Sequence, residues 1–262
     1  MLRRKLFKYV GRALKIIDVL GLYEGLLYLI KAKILRSKTA DAILWIALRG
    51  EKIVEIDEQV YMWRGKKFYV PTELAFGFLS VVLPEIIADK IYILEGNYDV
   101  ILDIGGFLGE TAWWFITEGY AKKVIVFEPV YYDLCRSNIG DVAEVHPQAI
   151  HWRKEALRFE VKGLGSRSSL SGERVSDATT LSDVLNSLSG NIAVKMNCEG
   201  CEKALIYTPC DVLKKVEEYI VEIHPWISME SVVRYMESCG FNASLRLVYS
   251  SEHAIYHFRR RH

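Results

Sequence analysis

An acid and three glycines follow directly on an apolar run in the segment VILDIGGFLGETAWWF, residues 100–115. Asp103 interrupts the apolar run near its end, and Gly105, Gly106 and Gly109 follow within six residues. Glycine lets the backbone turn sharply and approach a ligand with no Cβ in the way, and at the third position it permits close packing where a helix begins. A buried strand, a glycine turn and a helix are the parts that bind nucleotide-like ligands at the carboxyl edge of an α/β sheet.

The acid narrows the class of ligand. A dinucleotide-binding turn has a glycine where this sequence has Phe107, and a P-loop has a lysine where Glu110 and Thr111 follow the last glycine. The carboxylate of Asp103 would also repel a pyrophosphate. S-adenosylmethionine instead brings an ammonium and a sulfonium, and its own carboxylate can lie against the N-terminal end of the helix. The pattern therefore favours S-adenosylmethionine as the cofactor.

A second acid, Glu128, ends the next apolar run and stands 19 residues after Gly109. An acid at this spacing conventionally hydrogen-bonds ribose hydroxyls. Together with Asp103 it is expected to form the negatively charged floor of a pocket at neighbouring strand ends. The predicted cofactor-binding residues are Asp103, Gly105, Gly106, Gly109, Thr111, Glu128, Asn197 and, beside the adenine, Gln148 and Ala149.

Short apolar runs separated by helical stretches must position these residues. Strand, helix, strand, helix in this rhythm predicts a doubly wound α/β sheet with right-handed crossovers. Two adjacent β-patterned runs near the end of the sequence predict an antiparallel edge hairpin. The predicted parallel strands are 100–104, 124–128, 192–196 and 219–224, the helices 109–118, 131–138 and 181–188, and the hairpin strands 244–249 and 254–259.

Residues 1–50 differ from the rest in charge and pattern. They carry 11 basic and 3 acidic residues, and apolar residues recur every three or four positions up to about Leu35. This predicts a basic amphipathic helical extension, which lies on an anionic membrane surface, binds a charged substrate or packs as a helical cap on the main domain. Residues 51–90 predict a β-hairpin around Gly65 and a helix over 72–88 broken at Pro84, and residues 91–262 form the α/β domain.

The amino-acid composition excludes some classes of protein. The chain has 262 residues with 34 basic and 33 acidic side chains, so its total charge argues against a nucleic-acid carrier. Five cysteines, an odd number without a secretory context, favour reduced thiols and a cytoplasmic location. Cys198 and Cys201 form a lone C-x-x-C without the second pair that zinc would need, so no metal site is predicted. The longest early apolar stretch, 19–30, is broken by two glycines and an acid and is too short to span a membrane.

Six blocks of the sequence, taken in order, resemble the FkbM family of S-adenosylmethionine-dependent methyltransferases. They are VILDIGGFLGET, VIVFEPVYYDLCRSNI, GSRSSLSG, TTLSDVL, VKMNCEGCE and YIVEIHP, and they span roughly residues 99–225. The resemblance implies a Rossmann-like seven-stranded methyltransferase sheet that ends in an antiparallel hairpin, and O-methylation of a sugar or other secondary metabolite. The sequence departs from the family pattern at Gly106-Phe107, which replaces Ala-Asn, and at Asn197, which replaces an Asp. These changes imply an altered substrate or reduced activity.

A hydroxyl acceptor needs a base near the ends of the fourth and fifth strands as it loses its proton. Glu199 and His224 are the predicted catalytic residues, and the ordinary near-neutral pKa of histidine favours His224. Glu222 alternates with His224 along the strand and, as a buried acid, needs a partner. It either pairs with Lys195 across the sheet or has a catalytic role.

The predicted function is methyl transfer to a hydroxyl of a small-molecule or glycan-like acceptor. A catalytically decayed cofactor-binding or scaffold module is the second hypothesis, and RNA methylation is the third. The Asn-Pro-Pro-aromatic motif expected for methylation of base amino groups is absent, because Asn197 is followed by Cys198 and Glu199. Peripheral membrane contact through residues 1–50 would add a location to the first hypothesis, and no pattern indicates an oligomeric state.

Overall fold

The computed structural model describes residues 2–162, 164–168 and 172–261. The chain forms two compact units, of which the first ends at Lys90 and the second begins at Ile91. Among the described residues, no helix is both long enough and sufficiently apolar to cross a lipid bilayer.

The first unit begins with three helices, α1 (Leu2–Leu20), α2 (Leu22–Lys33) and α3 (Lys38–Ala47). Gly21 separates α1 from α2 at a φ of 96°, a left-handed value that favours glycine. The hydroxyl of Ser37 caps α3 by accepting a hydrogen bond from the backbone N–H of Ala40. The sequence analysis predicts the first two helices and misses α3.

A three-stranded antiparallel meander follows, formed by β1 (Ile53–Asp57), β2 (Val60–Trp63) and β3 (Lys66–Tyr69). The predicted hairpin around Gly65 is its second half, β2 and β3. The predicted helix over 72–88 consists of α4 (Thr72–Gly77), a π-helical turn (Phe78–Val82) and α5 (Leu83–Ile87). Pro84 lies in the first turn of α5, where its missing N–H costs no hydrogen bond, so the break at Pro84 is a change of helix type.

The second unit is built on a seven-stranded sheet in the order β13-β14-β12-β11-β4-β5-β6. Five strands are parallel, and β14 is antiparallel to β12 and β13. The predicted α/β class, with seven strands and a C-terminal antiparallel hairpin, is confirmed. The strands of this sheet are β4 (Tyr98–Ile104), β5 (Ala121–Phe127), β6 (Glu144–His146), β11 (Ile192–Met196), β12 (Val216–Ile223), β13 (Phe241–Ser250) and β14 (His253–Arg260).

The sequences of the central strands are continuous apolar runs because both faces of these strands are buried. All five residues of β11 are buried, because helices cover both faces of a doubly wound sheet. The helices of this unit are α6 (Glu110–Thr117), α7 (Tyr132–Ile139), α8 (Leu181–Ser187), α9 (Lys203–Tyr207), α10 (Cys210–Leu213) and α11 (Met229–Ser238). The sequence analysis predicts α6, α7 and α8 and misses α9, α10 and α11.

A smaller four-stranded sheet, in the order β7-β10-β8-β9, completes the second unit. Its strands are β7 (Ala149–His151), β8 (Ala156–Lys162), β9 (Gly165–Ser168) and β10 (Arg174–Thr180). The sequence analysis does not predict this sheet.

Two disulfides correct the prediction of reduced cysteines. Cys198–Cys201 closes the turn after β11, and Cys210–Cys239 joins the start of α10 to the residue after α11. The sequence could not indicate the second pair, because 29 residues separate its members and only the packing of α10 and α11 into one core brings them together. Disulfides persist mainly in oxidising compartments, so the cysteine count no longer supports a cytoplasmic location.

Candidate functional site

The glycine turn between β4 and α6 is shaped by the protein atoms around it. A Cβ on Gly105, which has a φ of 80°, would lie 1.7 Å from the backbone oxygen of Asn197. A Cβ on Gly106 would lie 2.1 Å from Val126 Cγ1. The space that the sequence analysis reserves for a ligand at these two glycines is therefore occupied by the neighbouring strand ends.

Gly109 has the packing role that the sequence predicts. It adopts a φ of 93° immediately before α6, and a Cβ there would lie 2.7 Å from Ile139 at the end of α7. Thr111, in the first turn of α6, is buried.

Asp103 forms a buried ion pair inside the sheet. Its Oδ1 lies 2.8 Å from Nζ of Lys195, which stands beside it in the parallel register of β4 and β11. Lys195 also donates a hydrogen bond of 2.6 Å to the backbone oxygen of Gly105, so the pair ties the strand end to the glycine turn. Asp103 Oδ2 is buried and has no hydrogen-bond partner among the described residues. Burial raises the pKa of Asp103, and the lysine only partly offsets that effect.

Glu128 holds the other side of the same turn through three backbone donors. Its Oε2 accepts from the N–H of Phe107 at 2.9 Å, and its Oε1 accepts from Val130 and Tyr131 at 2.8 and 2.9 Å. A carboxylate has about four acceptor positions, so one is left for a ligand hydroxyl. Asp103 and Glu128 thus both hold this turn, and both side chains are buried.

Glu110 is a third buried carboxyl group at this turn, and the sequence analysis does not assign it to the site. Its Oε2 accepts from the N–H of Leu108 at 3.2 Å, and burial raises its pKa to about 8. Lys195 lowers and Asp103 raises the pKa of Glu110, and Lys195 also lowers that of Glu128. Three buried carboxyl groups therefore share one lysine. We call Asp103, Glu110, Glu128 and Lys195 the acid cluster.

The raised pKa of Glu110 predicts a loss of stability with rising pH. The unfolded chain releases this proton near the ordinary pKa of 4.5 and the folded chain near 8. The contribution of Glu110 to the free energy of unfolding should therefore fall between those two pH values and be level above them. Glu110→Gln removes the effect, so at pH 9 the variant should be more stable than the wild type by on the order of 2 to 4 kcal/mol.

Urea denaturation of the ligand-free chain at pH 5 and pH 9 measures this difference. Glu252→Gln, at an exposed turn position, is the matched control and should follow the wild type at both pH values. A Glu110→Gln chain that gains no stability over the wild type at pH 9 would contradict a protonated Glu110.

A second polar cluster lies at the carboxyl ends of β11 and β12. His224 Nδ1 lies 2.8 Å from Oε1 of the fully buried Glu202, and His224 Nε2 lies 3.6 Å from Glu199 Oε1 and 3.7 Å from Glu222 Oε1. His253 Nε2 lies 2.8 Å from Glu222 Oε1, and the two imidazole rings stack at 4.8 Å. We call Glu199, Glu202, Glu222, His224 and His253 the histidine–carboxylate cluster.

The two predicted catalytic residues, Glu199 and His224, both belong to this cluster, and the cluster raises the pKa of His224. Burial alone would lower the pKa of His224, but Glu202, Glu199 and Glu222 raise it to about 9. His224 is therefore protonated at neutral pH. Glu199, whose side chain is 33% exposed, stands in the turn after β11 at a φ of 54°.

The predicted pairing of Glu222 with Lys195 is wrong. Lys195 pairs with Asp103, because the two stand in register on adjacent strands. Glu222 instead contacts His253 and accepts a hydrogen bond of 2.7 Å from Nδ2 of Asn197.

The remaining predicted cofactor residues lie in three places. The side chain of Asn197 belongs to the histidine–carboxylate cluster, where it donates to Glu222 and to the hydroxyl of Tyr92. Gln148 is half-buried in the link between β6 and β7, and Ala149 is buried at the start of β7. Sequence reasoning misses Glu110, Glu202 and His253. Only the recurrence of acids in CEGCE, residues 198–202, could have indicated Glu202.

No family model and no curated protein sequence matches this chain. Solved structures do match. The crystal structure of TYW2 from M. jannaschii in complex with AdoMet is 16% identical, and the match covers 80% of this chain and 90% of that one with a TM-score of 0.41. TrmK from M. capricolum in complex with S-adenosylhomocysteine is 14% identical, with 66% of each chain covered and a TM-score of 0.38.

An O-methyltransferase family protein from Burkholderia thailandensis also matches. It is 9% identical, with 72% of this chain and 59% of that one covered and a TM-score of 0.43. Likenesses at these identities and scores carry no argument about ligand or reaction.

Proposed function

We propose that the chain binds S-adenosylmethionine at the turn between β4 and α6 and transfers its methyl group to a hydroxyl of a small-molecule or glycan-like acceptor. The observation that carries this proposal is the acid cluster, in which three buried carboxyl groups share one lysine. Buried carboxylates need compensating positive charge. A ligand that brings two positive charges compensates them, whereas a phosphate would add to the excess.

Acceptor atoms without a protein partner support the fit of this cofactor to the residues present. Asp103 Oδ2 is fully buried without a hydrogen-bond partner among the described residues, and Glu128 has one acceptor position left beside Phe107. We assign Asp103 and Glu128 to the cationic and ribose parts of the cofactor. When bound, S-adenosylmethionine supplies a methyl group on a positively charged sulfur.

The acceptor side is assigned to the histidine–carboxylate cluster, because β11, which Glu199 follows, adjoins β4 on one side and β12 on the other. Met196 at the end of β11 stands in register with Ile104 of β4 and with Val221 of β12, so the two clusters lie on one edge of the sheet. The backbone N–H of Asn197 also donates to the oxygen of Ile104 at 3.0 Å. Alignment of an acceptor oxygen across this edge can lower the barrier by roughly 7 to 11 kcal/mol.

A hydroxyl acceptor must lose its proton as the methyl group is transferred. Of the two predicted catalytic residues, Glu199 is the better proton acceptor, because His224 is already protonated at neutral pH. We assign proton acceptance to Glu199 and place His224 beside it as its charged neighbour, with the two atoms 3.6 Å apart. The finer placement in the FkbM family rests on the six sequence blocks.

Calorimetric titration of S-adenosylmethionine tests the cofactor assignment. Asp103→Asn removes one charge of the acid cluster and should weaken binding by about tenfold or more, which corresponds to about 1.4 kcal/mol. Asp99→Asn, on the same strand at an exposed ion pair with Lys122, is the matched control and should bind as the wild type does. Circular dichroism verifies that both variants are folded.

Equal loss of affinity in both variants, or none in Asp103→Asn, would contradict the role of the acid cluster. Formation of S-adenosylhomocysteine in the presence of hydroxylated acceptors separates a working enzyme from a cofactor-binding module. The module binds the cofactor and forms no product with any acceptor.

A further inference from the structure

We propose that Glu222, His224 and His253 bind a divalent transition-metal ion at the carboxyl ends of β11 and β12. Each residue offers one ligand atom, and the three atoms lie within 4.8 Å of one another. Glu222 Oε1 lies 2.8 Å from His253 Nε2 and 3.7 Å from His224 Nε2. Bonds of 2.0–2.2 Å to a common ion place neighbouring ligand atoms about 3 to 3.5 Å apart. Both contacts of Glu222 lie within a few tenths of an ångström of that spacing, and the two histidine nitrogens, which lie within 4.8 Å of each other, must approach by up to about 1.5 Å.

The neighbours of these three residues orient them toward a common point. Glu202 Oε1 lies 2.8 Å from Nδ1 of His224 and holds the proton there, so an ion that displaces the other proton of the imidazolium meets an Nε2 lone pair directed at Glu222. Nδ2 of Asn197 donates to Glu222 Oε2 at 2.7 Å, which leaves Oε1 for an ion. Metal ligands in proteins are commonly oriented by such hydrogen bonds, here from Glu202 to His224 and from Asn197 to Glu222.

Charge and burial give independent support. Glu199, Glu202 and Glu222 surround His224, and Glu202, Glu222 and His224 are buried. Glu202 Oε2 is buried without a hydrogen-bond partner among the described residues, and the three carboxyl groups of the cluster outnumber its two imidazoles. Two imidazole nitrogens and one carboxylate oxygen suit Zn²⁺, Mn²⁺, Fe²⁺ or Co²⁺ better than Mg²⁺ or Ca²⁺, which prefer oxygen ligands only.

The sequence gives no spacing signal for this site. Glu222 and His224 alternate on β12, but His253 begins β14 after a whole helix and strand, and only the antiparallel register of β12 with β14 brings it near Ile223. In the sequence only the lone C-x-x-C has a spacing typical of metal ligands, and these three residues have none.

The role of the metal site rests on the proposed function, because the ion would bind the acceptor of the methyl group. Three protein ligands leave coordination positions open, and an acceptor hydroxyl bound there would have its pKa lowered by the ion. Glu199, 3.6 Å from His224 Nε2, is then the neighbouring base. The acceptor class that fits is a hydroxyl compound able to coordinate a metal, such as a vicinal diol or a sugar.

Cobalt titration tests the site without reference to methyl transfer. The metal-stripped full chain, without a histidine tag and without reductant so that its disulfides stay closed, should bind one equivalent of Co²⁺ with visible d–d absorption, and Zn²⁺ should displace it. His253→Ala should weaken Co²⁺ binding by about 100-fold or more, and Glu202→Gln, a positioning change, by about 10- to 100-fold. His146→Ala, at a half-buried histidine on β6 paired with Glu144, is the matched control and should bind as the wild type does.

Co²⁺ binding that is absent from the wild type, or unchanged in His253→Ala, would overturn the proposal. S-adenosylmethionine titration of the same stripped chain separates the two proposals. A chain that binds Co²⁺ through His253 without binding S-adenosylmethionine retains the metal site and loses the proposed function. A chain that binds S-adenosylmethionine but shows no His253-dependent Co²⁺ binding retains the function and loses the metal site.

Discussion

Lys195→Met should destabilise the folded chain by about 3 to 5 kcal/mol at pH 7.5, because it leaves the buried charge of Asp103 without a partner. Lys195 Nζ lies 2.8 Å from Asp103 Oδ1, and the exposed fractions of the two side chains are 3% and 0%. The same lysine donates to the oxygen of Gly105, so its loss also frees the glycine turn. Urea denaturation at pH 7.5 measures the change.

A double-mutant cycle separates the ion pair from the loss of packing. Asp103→Asn combined with Lys195→Met removes both charges, so the double variant should be more stable than Lys195→Met alone by on the order of 1 to 3 kcal/mol. Lys122→Met, at the exposed end of a pair with Asp99, is the control and should cost less than about 1 kcal/mol. If the double variant is as unstable as the sum of the two single variants, the two side chains are not coupled in the folded protein.

Gly105→Ala should cost on the order of 4 kcal/mol, from a strained backbone and from a clash together. The new Cβ would lie 1.7 Å from the oxygen of Asn197 and 2.7 Å from its carbonyl carbon, and backbone atoms cannot move aside as a flexible side chain can. The strand ends of β4 and β11 would have to separate, which moves Asp103 away from Lys195. Thermal and urea unfolding of the purified variant measure the effect.

Gly119→Ala is the matched control for backbone strain. Gly119 has a φ of 75°, close to the 80° of Gly105, but a Cβ there would have no neighbouring atom within 4 Å. The control should therefore cost only the strain of a left-handed alanine, about 1 kcal/mol. Equal costs for the two variants would show that the approach of Asn197 to Gly105 is looser than the structure describes.

The parallel sheet was predictable because buried parallel strands have continuous apolar runs in their sequence. The runs at 100–104 and 192–196 lie within or coincide with β4 and β11, and the turn at Ser251 and Glu252 separates the strands of the hairpin. The small sheet lacks such runs. Its strands alternate or carry charges, as Arg158 and Glu160 do in β8, so no continuous apolar run marks the antiparallel pair of β8 and β10 in the sequence.

The acid cluster was half predictable for a similar reason. Asp103 and Glu128 end apolar runs, and a strand end is a recognisable place in a sequence. Glu110 looks like a helix-start acid, and nothing local shows that the fold buries it. The partner of Asp103 could not be predicted because register decides it. Lys195 stands beside Asp103 on the adjacent strand. The sequence alone does not show whether Lys195 contacts Asp103 or Glu222.

The central claim is that the acid cluster selects a positively charged nucleoside over a phosphate-bearing one. Parallel calorimetric titrations of the ligand-free full chain with S-adenosylmethionine, NAD and ATP test it most directly. The acid cluster predicts saturable binding of S-adenosylmethionine with one site per chain and no detectable binding of the two phosphate compounds. Binding of NAD or ATP at the same site, or the absence of S-adenosylmethionine binding by a folded chain, would contradict it.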